Sequence, residues 1–321
     1  MPTPNAEYAH QVMHGLTHRP KALPAKFLYD AQGSRLFQEI MQLPEYYPTD
    51  CETEIFSQQA GSILKAIEAS SKSNKILEII ELGAGDGSKT QLLLQHFIAQ
   101  GKEVTYRPID ISAAANESLS QNLSQKIPQL AIAPITGDYF DALSQIEDKP
   151  EHQRLVLFLG SNIGNFSYLA TFQFLERLRE NLRTGDLCLI GFDLRKDPRL
   201  ILAAYDDTKG ITAAFNLNLL HRLNREWGAH FDPSTFTFFP FYDPVEGVVK
   251  SFLVSQKQQR IAVDRLQICV HFEAYEALHT ESSRKYSLQE IQLLAEKTGF
   301  AGLSTFIDSR RYFTDALWQR R

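Results

Sequence analysis

Lys75–Thr90 reads KILEIIELGAGDGSKT, and this stretch decides the fold. Its first half is a short apolar run rich in isoleucine that ends in glycines. The continuation, SKTQLLLQHFIAQ (Ser88–Gln100), spaces its apolar residues as an amphipathic helix does. A strand that turns through glycine into a helix opens a βα unit. The alternation then repeats. VTYRPIDIS (Val104–Ser112) reads as a strand ending at Asp110, and AANESLSQNLSQKI (Ala114–Ile127) as a helix. QLAIAPITGDY (Gln129–Tyr139) and RLVLFLGSNIGNF (Arg154–Phe166) are further strand candidates. The helix YLATFQFLERLRENL (Tyr168–Leu182) leads to the strand DLCLIGFDL (Asp186–Leu194). Strands alternating with helices predict a mostly parallel sheet covered on both faces, an α/β fold.

Working outward, the rhythm breaks between about 195 and 285. That interval holds a helical stretch, Ala203–Gly228, and two β-like runs, Gly247–Gln258 and Gln259–Phe272. It reads as a smaller α+β domain, 195–285, inserted into a larger one made of 61–194 and 286–321. Residues 1–60 read as helices broken by turns and are expected to join the smaller, substrate-binding domain. SLQE (Ser287–Glu290) has the form of a capping box, and Gly302–Arg321 supplies two closing strands.

Composition narrows the function. The chain has 321 residues, 43% of them hydrophobic and 22% charged, enough apolar surface for real cores. A net charge of -5 offers no general hold on a nucleic-acid backbone or an anionic membrane, so the expected partner is a small molecule. No run approaches the roughly 18 apolar residues of a membrane span and the opening residues hold no apolar h-region, so neither export nor a membrane anchor is expected. The three cysteines, Cys51, Cys188 and Cys269, are far apart and read as reduced thiols in a cytoplasm. No metal site is expected.

ELGAGDG (Glu81–Gly87) stands where glycine lets a ligand approach the backbone closely. Its spacing is G-x-G-x-G, with Ser88 where a dinucleotide fingerprint wants its third glycine, which counts against NAD. Glu81 leads the loop. Asp110 ends the second strand and suits ribose hydroxyls. Asp138 and Tyr139 in TGDYF follow the third strand and suit an adenine amino group and an adenine face. Together with Gly83, Gly85 and Lys89 these residues describe a site for a nucleoside carrying a charged amino-acid tail, and S-adenosylmethionine fits that description.

Six blocks, in order along the chain, carry a family resemblance. They are LPAKFLYDAQGSRLFQEIMQLPEYYPT (Leu23–Thr49), ELGAGDGSKT (Glu81–Thr90), LVLFLGSNIGNF (Leu155–Phe166), DLRKDPRLILAAYDD (Asp193–Asp207), GITAAFNLNLLHRLNRE (Gly210–Glu226) and HTESSRKYS (His279–Ser287). With these blocks the chain resembles the histidine-specific N-alpha-methyltransferases of ergothioneine biosynthesis. The resemblance implies a Rossmann-like, S-adenosylmethionine-dependent methyltransferase domain with a substrate domain. The implied reaction is three methyl transfers to the alpha-amino nitrogen of L-histidine, giving hercynine. It also implies Asn165 and Tyr205 as the grip on the amino acid, Gly160 and Tyr46 as cavity lining, Glu281 and Ser283 as readers of the imidazole, and Tyr29 near the reacting nitrogen, where it is expected to accept or relay a proton. Many members carry methionine beside the ring where this chain has Ser251, so tryptophan or tyrosine stays open as substrate. An NAD-dependent oxidoreductase and a non-catalytic S-adenosylmethionine-binding subunit are the rival readings. A monomer is expected.

Overall fold

A computed structural model describes residues 6–70 and 76–321, so the expected start of the first strand at Lys75 lies outside the described residues. The chain forms two compact units, Met1–Tyr47 with Lys196–Arg284, and Pro48–Arg195 with Lys285–Arg321.

The second unit is built on an eight-stranded sheet. Ile76–Leu82 lies in its middle, with Val104–Asp110 parallel on one side and His152–Phe158 parallel on the other. Leu187–Asp193 extends the parallel run. Every residue of His152–Phe158 and Leu187–Asp193 is buried, as strands covered on both faces must be. The stretch expected as one strand around Ala131–Thr136 is two short pieces that each pair with Val104–Asp110. At the far edge the closing hairpin departs from a purely parallel sheet. Phe313–Arg320 inserts antiparallel beside Leu187–Asp193, and Phe300–Ile307 pairs with it outermost. Ile80, Phe158, Ile190 and Trp318 contribute to one continuous core. The capping box forms as read: Ser287 Oγ accepts from the Glu290 N–H at 3.1 Å and Glu290 returns by accepting from the Ser287 N–H at 2.7 Å.

The other unit carries a four-stranded sheet in which Ala277–Arg284 lies between Lys21–Ala22 and Val248–Ser255, with Phe236–Asp243 outermost. Phe236–Asp243 escaped the sequence reading because Pro240 interrupts it. Proline is tolerated there because the strand is an edge. Gln259–Phe272, read as one run, is a hairpin. Helix Ile211–Trp227 buries Phe215, Leu219 and Leu223 in a core shared with Val12, Phe27 and Leu253.

The expected domain limit at residue 60 is corrected. Tyr47–Ser70 is a single helix whose Cys51, Ile55, Phe56 and Ile63 are wholly buried, so it cannot be divided at 60, and the units part between Tyr47 and Pro48. The other limits fall one residue from the expected ones, at Arg195/Lys196 and Arg284/Lys285. Lys285 belongs to the larger unit through a buried ion pair with Asp193 at 2.8 Å. Among the described residues no helix is long and apolar enough to cross a membrane.

Candidate active site

The glycine loop follows Ile76–Leu82. Gly83, Gly85 and Gly87 take φ values of 72°, 58° and 67°, a left-handed conformation that side chains resist. At Gly85 an added Cβ would meet nothing within 4 Å, so the loop has open space above it. At Gly83 a Cβ would lie 2.6 Å from the Tyr139 hydroxyl, which therefore stands directly over the turn. Tyr139 packs edge-on against Phe158 with ring centroids 6.2 Å apart, and burial pushes its phenol up to about 12. Asp138 caps the helix Tyr139–Ser144 by accepting from the Phe140 N–H at 3.1 Å. Asp110 accepts from the Ser112 N–H at 2.8 Å. Burial raises its carboxyl above the usual range despite that bond. Each of these carboxylates is thus oriented by its own backbone at a strand end. An open glycine cradle, two fixed carboxylates and an aromatic ring fit the parts of S-adenosylmethionine.

Glu81 departs from its expected place among ligand-facing residues. It is 4% exposed, and its two carboxylate oxygens accept from Thr90 Oγ1 at 2.7 Å and from the Tyr106 hydroxyl. It fastens the loop from beneath. Burial raises its carboxyl to about 7, an effect that the two donors and Lys89 only partly offset. Lys89 reaches the other way and pairs with Glu52, and its side chain keeps 20% of its surface. Burial alone would lower Lys89, yet the Glu52 charge outweighs it and holds the ammonium above the ordinary lysine value. Gly160, with φ of 69°, and Ser161, with φ of 57°, turn the chain into the short helix Asn162–Asn165, placing Asn165 in the same unit as the glycine loop.

The remaining expected residues lie in the other unit. Ser251 and Glu281 are direct partners across the antiparallel strands Val248–Ser255 and Ala277–Arg284, and Ser283 pairs with Val249. A bulge at Thr280 shifts the register between His279 and Glu281. It brings Glu281 and Ser283 onto the face that carries Ser251 and Leu253. The Thr280 hydroxyl donates to Asn216 Oδ1 at 2.6 Å and lies 3.1 Å from the Ser251 carbonyl, tying the bulge to helix Ile211–Trp227. Ser251 Oγ is buried and has no hydrogen-bond partner among the described residues. Tyr29 packs edge-on against Phe37 at 5.5 Å and Phe215 at 5.4 Å, and Tyr46 joins the cluster through Phe37 at 6.0 Å. Neighbouring Tyr47 is buried and accepts at its hydroxyl from Lys196 at 2.9 Å. Tyr205 is buried just beyond helix Pro198–Ala203.

A family model described as histidine-specific methyltransferase, SAM-dependent, matches residues 8–320. The chain belongs to that family. Among curated relatives, the histidine N-alpha-methyltransferase of Mycolicibacterium smegmatis is 36% identical over 87% of this chain and 84% of its own. The ergothioneine biosynthesis protein 1 of Schizosaccharomyces pombe is 31% identical over 88% of this chain and 37% of its own. The 4-dimethylallyltryptophan N-methyltransferase of Claviceps fusiformis is 32% identical over 61% of this chain and 56% of its own.

Two features of this histidine-specific methyltransferase escaped the sequence reading. Glu52 and Asp315 are wholly buried acids beside Lys89; the visible signal was a lone charge in FTDALW (Phe313–Trp318), whereas CETEIF (Cys51–Phe56) carries both Glu52 and Glu54 and gave no such signal. His10, His14 and His18 recur every four residues along helix Ala6–Thr17 and just past its end. The rings of His14 and His18 stack 3.8 Å apart. The metal-free expectation overlooked that spacing. Among the described residues, no group of three metal-capable side chains is gathered into a site.

Proposed function

We propose that this family member methylates the alpha-amino nitrogen of L-histidine three times to give hercynine, the opening step of ergothioneine biosynthesis. The observation that carries the reading is the cross-strand set Ser251, Glu281 and Ser283, a carboxylate and two hydroxyls on one sheet face held in register by the Thr280 bulge. A carboxylate and a hydroxyl spaced in this way match the two nitrogens of an imidazole: Glu281 accepts from the ring N–H, and Ser283 donates to or accepts from the other nitrogen. An analogue without those nitrogens can make neither bond and is selected against for that reason.

S-adenosylmethionine supplies an electrophilic methyl group on a sulfonium. The chain's task is to bring a neutral amine lone pair about 3 Å from that methyl and to take up the proton the amine loses. Asn165 and Tyr205 are assigned to the carboxylate and amine, and Tyr46 and Gly160 to the lining. Tyr29 is assigned as proton acceptor or relay. The edges of Phe37 and Phe215 fix its ring, so its hydroxyl has a defined direction. Gly83, Gly85, Lys89, Asp110, Asp138 and Tyr139 are assigned to the cofactor. Three cysteines that form no disulfide support a reducing, cytoplasmic setting, and the enzyme is assigned as a 36.5 kDa monomer.

A second reading, methylation of tryptophan or tyrosine, draws on Ser251, which is smaller than methionine, and on the tryptophan-derivative relative. Mass spectrometry of the protein incubated with S-adenosylmethionine and each amino acid separately decides between them. Histidine is expected to gain three methyl groups. Methylation of an aromatic amino acid in its place would overturn the substrate assignment and leave the cofactor assignment intact.

A further inference from the structure

Behind the glycine loop lies a cluster that the methyl-transfer chemistry leaves unexplained. Glu52 projects from helix Tyr47–Ser70 and is wholly buried. It holds the Lys89 ammonium, and its Oε1 accepts from the Gly160 N–H at 2.8 Å. Room for its carboxylate exists because residue 191 is glycine; a Cβ there would stand 2.6 Å from Glu52 Oε1. Asp315, the cross-strand partner of Gly191, is also wholly buried and faces the Glu52 carboxyl. Neither Asp315 oxygen has a donor among the described residues.

Charge balance settles the protonation state. Two carboxylates against one ammonium would leave a negative charge stranded in the interior, and such a charge is relieved by taking up a proton. Burial and the Glu52 charge both push the Asp315 carboxyl well above the usual range, against the pull of Lys89. With the proton on Asp315, its O–H donates to Glu52, which is left as a single carboxylate neutralised by Lys89. Lys89 is the partly exposed member of the cluster. It is the one a ligand can meet.

We propose that Glu52 is the positioning residue of the cofactor site: sharing a proton with Asp315 and anchored by the Gly160 N–H, it holds the Lys89 ammonium in place for the carboxylate of the cofactor's amino-acid tail. This rests on the cofactor assignment above.

The test is calorimetry of S-adenosylhomocysteine binding to the full chain, with melting temperatures alongside. Wild-type protein that binds none would overturn the cofactor assignment itself. Given binding, Glu52→Gln and Lys89→Met should each weaken it roughly ten- to hundredfold, the range of a charge-assisted hydrogen bond. The double variant should lose no more than the worse single one, because Glu52 acts through Lys89. The double variant strands neither charge and should melt no lower than wild type, which separates positioning from a structural role. Binding by either single variant within about twofold of wild type, losses that add, or a fall in the double variant's melting temperature would each overturn the proposal. Asp315→Asn, whose amide donates to Glu52 permanently, should raise the melting temperature, and this decides the shared proton even where Glu52→Gln does not fold; a fall or no change would exclude it.

Discussion

The Ser251 hydroxyl, across from Glu281, is buried with no partner among the described residues. An unpaired buried hydroxyl costs about 1–3 kcal/mol. Ser251→Ala should therefore raise the melting temperature of the free protein by a few degrees while weakening histidine binding, since the hydroxyl is kept for the ligand. Scanning fluorimetry with and without histidine measures both, and a lower melting temperature in the free variant would count against it. Glu81 makes a separate prediction through pH. Its carboxyl titrates at about 7 in the folded protein against 4.5 ordinarily, chiefly because it is buried. The folded state thus keeps a proton that the unfolded chain releases. The stability this contributes is complete below 4.5 and is lost as pH rises through 7. Glu81→Gln should flatten that decline, so its gain in melting temperature over wild type should be larger above pH 7 than near pH 4.5; parallel pH profiles would show that Glu81 is not the group responsible. The sequence showed an acid at a strand end, but it could not show that Tyr106 and Thr90 close over it from inside.

Among the elements, the Thr280 bulge has the clearest consequence. Thr280 and Asn216 are both wholly buried, so Thr280→Val leaves Asn216 Oδ1 without its donor at a cost of about 1–3 kcal/mol. The relaxed bulge should let Glu281 slip relative to Ser251. Histidine affinity should fall several-fold while S-adenosylhomocysteine affinity holds, because the cofactor residues belong to the other unit. Calorimetry with each ligand checks this, and a folded variant with unchanged histidine affinity would refute it. The two-residue spacing of Glu281 and Ser283 was legible as a shared face. The bulge that turns this face toward Ser251 was not, because it depends on a partner strand about thirty residues away and on a helix further upstream. The glycine loop and the capping box were legible because each is local chemistry. Phe236–Asp243 was hidden by Pro240, whose place at a sheet edge only the assembled sheet reveals.

At the scale of the molecule, the chain passes between its two units at Tyr47/Pro48, Arg195/Lys196 and Arg284/Lys285. Alternating strands and helices made the parallel sheet readable, and the change of rhythm near 195 and 285 marked two of these passages. The first was misjudged because a 24-residue helix begins at the passage, and no break in its apolar spacing marks where one core ends and the other begins. Charges such as Glu52 and Asp315 acquire meaning only when segments more than 200 residues apart in sequence are folded together. This division of labour predicts where ligands act. Hydrogen exchange slows where binding suppresses local opening. S-adenosylhomocysteine alone should slow exchange in the glycine loop after Ile76–Leu82, at the end of Val104–Asp110 and in Tyr139–Ser144. Histidine should slow it in Val248–Ser255 and Ala277–Arg284. Protection of Ala277–Arg284 by the cofactor product alone, with the glycine loop unchanged, would mean that the assignments of the glycine loop to the cofactor and of Ala277–Arg284 to histidine are reversed.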